Sequence, residues 1–239
     1  MTLPRSTLLA LAVLSMLGRG VQAQEALDSV EKKVAEAWSR VKSLSAKAVT
    51  DTNFENQPIK TFGILEYMND GGRELARVEV TMQRKLPDRT AEVKTAMIYD
   101  GTFMYTVTDH GGPKAAAKQS PNNLNIAPGG RRFFSVLKQK NVLRVLPDEK
   151  VDGEDMFVIE ARPHVPDPQA ANLILFYMSK STGLRRKAIG TDADGKVVFS
   201  SEYTEIKLDG LTSADRSKFE PPSDLDVIDA TKPPTMVTP

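Results

Sequence analysis

Near the N-terminus, apolar residues recur at steps of three and four, which is the spacing of one helical face. Charged residues between them occupy the opposite face. The pattern predicts an amphipathic helix from Gln24 to Ser45, with Trp38, the only tryptophan, as an anchor in the core. The apolar positions are Leu27, Val30, Val34, Trp38, Val41 and Leu44.

Beyond Ala46 the period changes to two, which predicts half-buried β-strands. The clearest case runs from Ala76 to Met82, and residues 93–107 and 197–203 repeat it. Residues 173–178 are apolar on both faces, so both sides of that strand are expected to be covered. Gly-containing turns at 69–72, 100–101, 152–153, 181–183 and 192–195 separate the segments. Short turns between strands predict an antiparallel meander.

Two proline-bearing segments interrupt the strands, at residues 113–141 and 163–168. The first is expected to contain a short helix from Arg131 to Lys140. The chain from Glu220 onward carries five prolines and is expected to be extended. We predict one domain over residues 24–230, of α+β class and mainly β, followed by a flexible tail over residues 231–239.

Residues 1–23 have the pattern of a secretory signal. Arg5 precedes an apolar stretch from Leu8 to Leu17, and Val21-Gln22-Ala23 offers a small-residue cleavage site. The stretch is shorter than the roughly 20 residues that span a bilayer. Export to the periplasm with cleavage after about Ala23 is therefore expected, and removal of Arg5 and Arg19 would leave a net charge of −1.

Composition excludes several functional classes. The full chain has 239 residues, 32 Lys+Arg against 31 Asp+Glu, two histidines and no cysteine. A balanced charge argues against a nucleic-acid partner. Without cysteine there is no disulfide, thiolate nucleophile or thiolate-bound metal. His110 and His164 lie in loop sequences, where solvated side chains are expected.

No catalytic or cofactor motif is present in the sequence. Asp192-Ala193-Asp194-Gly195 resembles a calcium loop only superficially, because Ser201 stands where the bidentate Glu is required. A hairpin turn is the better interpretation. The expectation is a protein that is not an enzyme and has no cofactor and no metal.

Six methionines after the signal fall on predicted strands, at positions 68, 82, 97, 104, 156 and 178. Their flexible side chains suit a wall that accepts acyl chains, although core filling explains them almost as well. A helix facing one curved meander would enclose an apolar cavity. The candidate cavity residues are Trp38, Phe62, Ile64, Val78, Val80, Met82, Met97, Phe103, Tyr105, Phe157, Ile159, Leu175, Tyr177 and Phe199.

Arg131-Arg132-Phe133-Phe134 begins the predicted short helix after a Gly-Gly pair. Paired cations beside aromatic residues could dock on an acidic partner or an anionic membrane. The alternative is a helix with its phenylalanines inward and its arginines in water. These four residues are lid or docking candidates.

Several short motifs, in order, resemble those of the LolA-like group, the periplasmic carriers that sort outer-membrane lipoproteins. They are the helix ending in Trp38-Ser39-Arg40-Val41, the strand Phe62-Gly63-Ile64-Leu65, the hairpin Tyr99-Asp100-Gly101-Thr102-Phe103-Met104-Tyr105, and the closing segment with Phe219-Glu220-Pro221-Pro222 and Val227-Ile228-Asp229. The family's Arg-Pro pair, whose arginine bridges sheet to lid, is missing. Arg73 is the nearest basic residue and Arg77 the next, so this role stays unassigned.

The resemblance implies an incomplete antiparallel barrel of about eleven strands with helices as a lid over an apolar cavity. It implies a monomeric carrier of acylated lipoprotein or another lipid-like cargo. An inner-membrane ABC exporter and an outer-membrane receptor would be its partners. The alternative is a lipid-responsive sensor or regulatory binding module, since relatives of this fold also serve as envelope sensors.

Overall fold

In the computed structural model, the described part of the chain forms one open sheet of twelve strands, with two α-helices and a 3₁₀ helix. The structure describes residues 26–54, 57–85, 89–109, 111–121, 129–167, 170–221, 223 and 225–231. The predicted signal, His110 and residues 232–239 of the predicted tail lie outside these ranges. Within the described residues, no helix combines the length and the hydropathy needed to cross a membrane.

The elements follow one another in the order expected of a meander. The helices are α1 (residues 26–38), α2 (Gly130–Lys140) and the 3₁₀ helix (Ser213–Phe219). The strands are β1 (Ser43–Phe54), β2 (Gln57–Asp70), β3 (Arg73–Lys85), β4 (Thr90–Tyr99), β5 (Met104–Asp109), β6 (Ala115–Gln119), β7 (Asn141–Val151), β8 (Glu154–Pro163), β9 (Leu173–Ser179), β10 (Arg185–Thr191), β11 (Val197–Leu208) and β12 (Val227–Asp229).

The strand order is β12-β6-β5-β4-β3-β2-β1-β11-β10-β9-β8-β7. Every neighbouring pair is antiparallel except β12 and β6, which pair in parallel through Val227 and Ala116. β12 and β7 are the two ends of the sheet, so the sheet is not closed. The predicted incomplete antiparallel barrel is confirmed, with twelve strands instead of about eleven.

Both helices pack on one face of the sheet, which we call the inner face; the opposite face is the outer face. Their apolar stripes meet β8, β9 and β10 in a core that contains Leu27, Val30, Val34, Phe133, Phe134, Phe157, Ile159, Ala161, Phe176, Met178 and Ala188. The Phe133 ring meets the Phe176 ring edge-on at 5.3 Å between centroids. This burial fixes the helices over one half of the sheet.

Part of the outer face is covered by the chain after β11. Phe219, at the end of the 3₁₀ helix, packs on Met68 and Leu75 of the β2–β3 hairpin. The Arg77 side chain donates to the Lys218 carbonyl at 3.0 Å. These contacts attach the C-terminal segment to the outer face. The last strand of the described chain is β12, in the closing segment that the resemblance implied.

The predicted first helix was too long. α1 ends at residue 38, and Leu44 lies in β1. Val41 and Leu44 continue the apolar spacing and join the core beside Trp38, but the chain there turns into a strand. Val41 and Leu44 fit the spacing of a further helical turn because they contact the same core. The spacing alone does not show that the backbone there has left the helix.

The segment at residues 113–141 holds a strand as well as the predicted helix. Ala115–Gln119 forms β6, whose three alanines carry little strand signal in sequence. α2 covers the predicted helix with one additional residue at its start. At 192–195 the structure shows the predicted turn, in which the Asp192 carboxylate accepts the backbone N–H groups of Asp194 and Lys196.

Candidate functional site

The inner face is covered unevenly, and its uncovered half is the candidate site. Under the helices, Ile159 and Met178 have no exposed surface. On β1 to β5 the inner-face side chains next to Trp38, such as Leu44 and Leu65, are also buried, whereas many others on the same face are only half-buried. The half-buried residues are Ala48, Thr50, Thr52, Ile59, Thr61, Gly63, Val78, Val80, Val93, Thr95, Met97 and Thr106.

A small cavity of about 160 Å³ lies on this open half, beside the edge of the helix-covered core. Val78 and Val80 form its apolar wall, and Gly63 forms its floor. A Cβ at Gly63 would stand 3.3 Å from the Ala48 Cβ, so a side chain there would fill the floor. The lining also includes Ala48, Thr50, Thr61, Ile64, Leu65, Arg185, Ser201 and Tyr203.

A larger cavity of about 500 Å³ lies toward the ends of β1, β2 and β11. Its inner-face residues include Thr52, Ile59 and Phe199, which are one rung further along the strands than Thr50, Thr61 and Ser201. The Phe199 ring lies against Gly190, where a Cβ would stand 2.2 Å from the ring. Most other lining residues of the larger cavity, including Asp51, Lys60, Gln83 and Ser200, face outward by register, so this cavity does not belong to the inner face alone. We call the strip of inner face around the smaller cavity, which includes Met82 opposite Thr61, the inner groove.

Trp38 closes the groove at the end of α1. Its ring lies 4.9 Å from the Tyr67 ring, between centroids. A Cβ at Gly129 would stand 2.9 Å from the indole, and one at Gly183 would stand 2.3 Å from the Val34 carbonyl oxygen. Gly129 also bridges to Leu184. The end of α1 is thus wedged against two glycine-containing turns.

The Tyr67 hydroxyl beneath Trp38 has a raised pKa. Burial is the main cause, followed by the negative charge of Glu74 and the hydrogen bond that Tyr67 donates to it at 3.1 Å. The neighbouring Trp38 indole lowers the pKa of Tyr67, but its effect is the smallest of the four. Its own Nε1 is buried without a hydrogen bond of normal geometry among the described residues. Tyr67 therefore stays neutral under the helix.

The two helices are joined to each other and to the sheet by charged contacts. Glu31 of α1 and Lys138 of α2 form an ion pair. The ammonium groups of Lys33 and Lys180 lie 6.0 and 4.9 Å from the centroid of the Phe157 ring. These contacts lie at the covered half of the sheet, away from the inner groove.

Eight of the predicted cavity residues belong to the inner side of the molecule. Of these, Val78, Val80, Met82, Met97 and Phe199 lie on or beside the open half. Phe157 and Ile159 are buried under the helices, and Trp38 stands between the two regions. Register and alternation set these positions.

Five others lie on the outer face and one lies in a turn. Register places Phe62, Ile64, Tyr105, Leu175 and Tyr177 opposite the helices. Phe103 lies in the β4–β5 turn under the Lys118 ammonium group, at 3.8 Å from its ring centroid. β2 and β9 carry apolar residues on both faces, so alternation alone did not reveal which face is inside.

The structure places the lid and docking candidates in different surroundings. Phe133 and Phe134 are buried and hold α2 on the sheet. Arg131 and Arg132 lie in the first turn of α2, and their side chains lie outside the described part of the chain. Arg73 donates to the Asp100 carbonyl and packs on Gly101, so it joins the β2–β3 and β4–β5 turns.

The polar residues of the groove were missed by the sequence analysis. Thr50, Thr61, Arg185, Ser201 and Tyr203 come from four separate strands and form no motif. The one available signal was the Arg185-Arg186 pair just after the predicted turn at 181–183. Within the described residues, no group of three or more His, Asp or Glu side chains is arranged to hold a metal ion.

Comparisons with known proteins agree with the fold. No protein-family model matches the chain, and no curated protein matches it. A crystal structure of MucB has a TM-score of 0.50 at 17% identity, over 87% of this chain and 66% of that chain. The chain thus spans slightly less than two thirds of MucB.

Two further solved structures have lower scores. The Pseudomonas aeruginosa MucA/MucB complex matches at TM-score 0.48 and 14% identity, over 84% of this chain and 62% of that one. A LolA superfamily protein from Nitrosomonas europaea matches at TM-score 0.33 and 14% identity, over 81% of this chain and 97% of that one. The likeness to MucB supports the fold alone, because only 17% of the aligned residues are identical.

Proposed function

We propose that this protein is a carrier that binds the acyl chains of a lipoprotein, or of another amphiphile, in the inner groove and moves them across the periplasm. The observation that carries the proposal is the uneven cover of the inner face. A strip of β1 to β5 that combines apolar and threonine side chains stays half-exposed beside a core that the helices fill. The apolar side chains that such a strip leaves exposed provide a binding surface.

The chemistry of the groove suits reversible binding. Moving an acyl chain out of water gains roughly 0.8 kcal/mol per buried CH₂. Val78 and Val80 offer apolar contact, while Thr50, Thr61 and Ser201 place hydroxyl groups in the same wall. A mixed wall gives less affinity than a wholly apolar one, which permits release to a second site.

The helices need not open for loading. The end of α1 is fixed by backbone contact with Gly183, and Phe133 and Phe134 anchor α2. Because the groove lies on the uncovered half, cargo reaches it from the side of β1 to β5. This differs from the lid that the sequence resemblance implied, in which helices cover the cavity.

The direct test is to purify the protein from its native envelope and identify bound lipid by mass spectrometry. Val80→Trp fills the groove and is expected to abolish loading. Thr81→Trp is the matched control, because the neighbouring residue on β3 faces outward by alternation. Purified protein that holds no exchangeable amphiphile, or equal loading of both variants, would contradict the proposal.

A second candidate is a lipid-responsive regulatory module, favoured by the likeness to MucB, whose crystal structures include a complex with MucA. It requires a protein partner that distinguishes loaded from empty protein. Pull-downs from envelope extract with lipid-loaded and lipid-stripped protein test it, with Arg131→Gln and Arg132→Gln as the first variants. An ABC exporter and a receptor among the captured proteins would instead support the carrier.

A further inference from the structure

Arg185 stands on the wall of the inner groove. It begins β10 and pairs with Met178, whose side chain faces inward under the helices. One guanidinium nitrogen donates to the Tyr203 hydroxyl at 3.2 Å, and the guanidinium carbon lies 5.3 Å from the centroid of the Tyr203 ring. The cation is thus held in a fixed orientation beside the cavity.

Arg185 differs from most charged residues of the sheet. Among the described residues, no Asp or Glu oxygen lies within ion-pair distance of its guanidinium group. Its neighbour Arg186 differs, because it pairs with Glu154 and lies 3.7 Å from Asp152. The register shifts between Arg185 and Lys187, so an irregularity in β10 separates the two arginines.

A half-buried cation without a counter-charge has lost part of its hydration and gained no ion pair in return. The groups around Arg185 provide further donors but no negative charge. The Thr50 hydroxyl donates to Ser201 at 2.9 Å, and Thr61 lines the same cavity. Val78 and Val80 supply the adjoining apolar wall. A positive, donor-rich corner beside an apolar strip fits a ligand with an anionic head and a hydrocarbon tail.

We propose that Arg185 binds the oxyanion headgroup of an amphiphile whose chain lies along the inner groove. The inference rests on the proposed carrier function and specifies its cargo class as anionic. The planar guanidinium group can bind two oxygens of a phosphate or carboxylate in parallel. Tyr203 holds the guanidinium plane for that contact.

Isothermal titration calorimetry with two twelve-carbon amphiphiles tests the proposal. Dodecyl phosphate and dodecyl maltoside are titrated below their critical micelle concentrations into lipid-stripped protein. Dodecyl phosphate is expected to bind at least about tenfold more tightly, as charge-assisted hydrogen bonds to a guanidinium group require. Inorganic phosphate alone is expected to bind far more weakly than either.

Three variants locate the effect. Arg185→Gln is expected to remove the preference for dodecyl phosphate, so that the two amphiphiles bind with similar affinity. Arg185→Lys is expected to retain part of the preference. Arg144→Gln is the matched control, because Arg144 is a 63% exposed arginine on β7 near Glu160 and should change neither affinity.

The outcomes separate this inference from the proposed function. Equal binding of both amphiphiles, or a preference that survives in Arg185→Gln, would overturn the role of Arg185 while the carrier proposal stands. Inorganic phosphate binding as tightly as dodecyl phosphate would also overturn it, because the site would then bind a free ion. Failure of both amphiphiles to bind would count against the carrier itself and, with it, against an amphiphile at Arg185.

Discussion

The Val34 carbonyl oxygen of α1 lies only 2.3 Å from the position that a Cβ of residue 183 would occupy. Gly183 has a φ of +69°, a conformation that favours glycine in any surroundings. Two requirements thus coincide at one turn, a left-handed backbone and space for the helix. This contact determines how closely α1 approaches the sheet.

Replacing Gly183 by alanine should therefore destabilise the protein through both requirements. The left-handed backbone alone costs about 1–2 kcal/mol for a residue with a Cβ. Displacement of α1 should add at least about 1 kcal/mol. Urea unfolding, followed by fluorescence of Trp38, measures the loss.

Gly153→Ala is the matched control for this prediction. Gly153 has a φ of +82° in the β7–β8 turn, and a Cβ there would meet nothing within 4 Å. It should show the backbone cost alone. Equal losses of stability in the two variants would mean that the approach of α1 does not depend on Gly183.

Ser179 is a buried polar residue that organises the turn before β10. Its hydroxyl donates to Glu154 and accepts the Thr182 backbone N–H at 3.0 Å. Ser179→Ala should cost about 1–3 kcal/mol, because buried partners lose their hydrogen bonds. Thermal unfolding of the variant beside the wild type measures this cost.

Ser181→Ala provides the comparison within the same network. Its hydroxyl bonds the same Glu154 oxygen at 2.8 Å, but the residue is exposed, so water can replace the contact. The expected loss is within about 0.5 kcal/mol. If Ser181→Ala proves as damaging as Ser179→Ala, burial is not what makes the network important.

The raised pKa of Tyr67 predicts a loss of stability in alkali. Burial, the Glu74 charge and the Glu74 hydrogen bond all favour the neutral phenol in the folded state. The unfolded chain ionises near its ordinary pKa of about 10, so stability is complete below that pH and declines as pH rises above it. Tyr67→Phe should flatten this decline.

Unfolding free energies measured from pH 8 to pH 11.5 test the pH prediction. Tyr105 and Tyr177 also have pKa values raised mainly by burial, so some dependence should remain in Tyr67→Phe. Tyr177→Phe, on the outer face, is the control, because it leaves Tyr67 in place and should keep the part of the decline that is due to Tyr67. A wild-type stability that does not fall above pH 10 would contradict the burial of the Tyr67 hydroxyl.

Met82 and Phe62 form a pair that tests which face binds cargo. Their exposures are similar, at 44% and 39%, but Met82 faces inward and Phe62 outward. Met82→Asp should weaken dodecyl maltoside binding at least about fivefold, because the charge enters the groove wall. Phe62→Asp should leave the affinity unchanged, and similar melting temperatures would confirm that both variants remain folded.

Much of the fold could be predicted from local pattern. The strand from Ala76 to Met82 shows clean alternation, and all six methionines lie on strands as expected. The α2 helix also lies where its apolar spacing indicated. The end of α1 and the strand β6 were harder to predict from sequence, because Leu44 suits either helix or strand and an alanine run does not favour a strand.

The candidate site was only partly predictable. All four of Val78, Val80, Phe62 and Ile64 were cavity candidates, and the register places the first two on the inner face and the last two on the outer face. A shift of one residue in the inward-facing set reverses every side chain of a strand. Where both faces of β2 are apolar, only the position of the packed helices distinguishes them.

The sequence by itself determined the elements and their order, since local periodicity and turn residues specify strands, hairpins and helices. It also determined which chemistries are missing, since no cysteine or catalytic motif is present. Only the tertiary structure decided where the inner face stays open and that Arg185, Tyr203, Thr50 and Thr61 line one cavity there. The physical reason is distance along the chain: residues from β1, β2, β10 and β11 become neighbours through strand pairing, which no local pattern records.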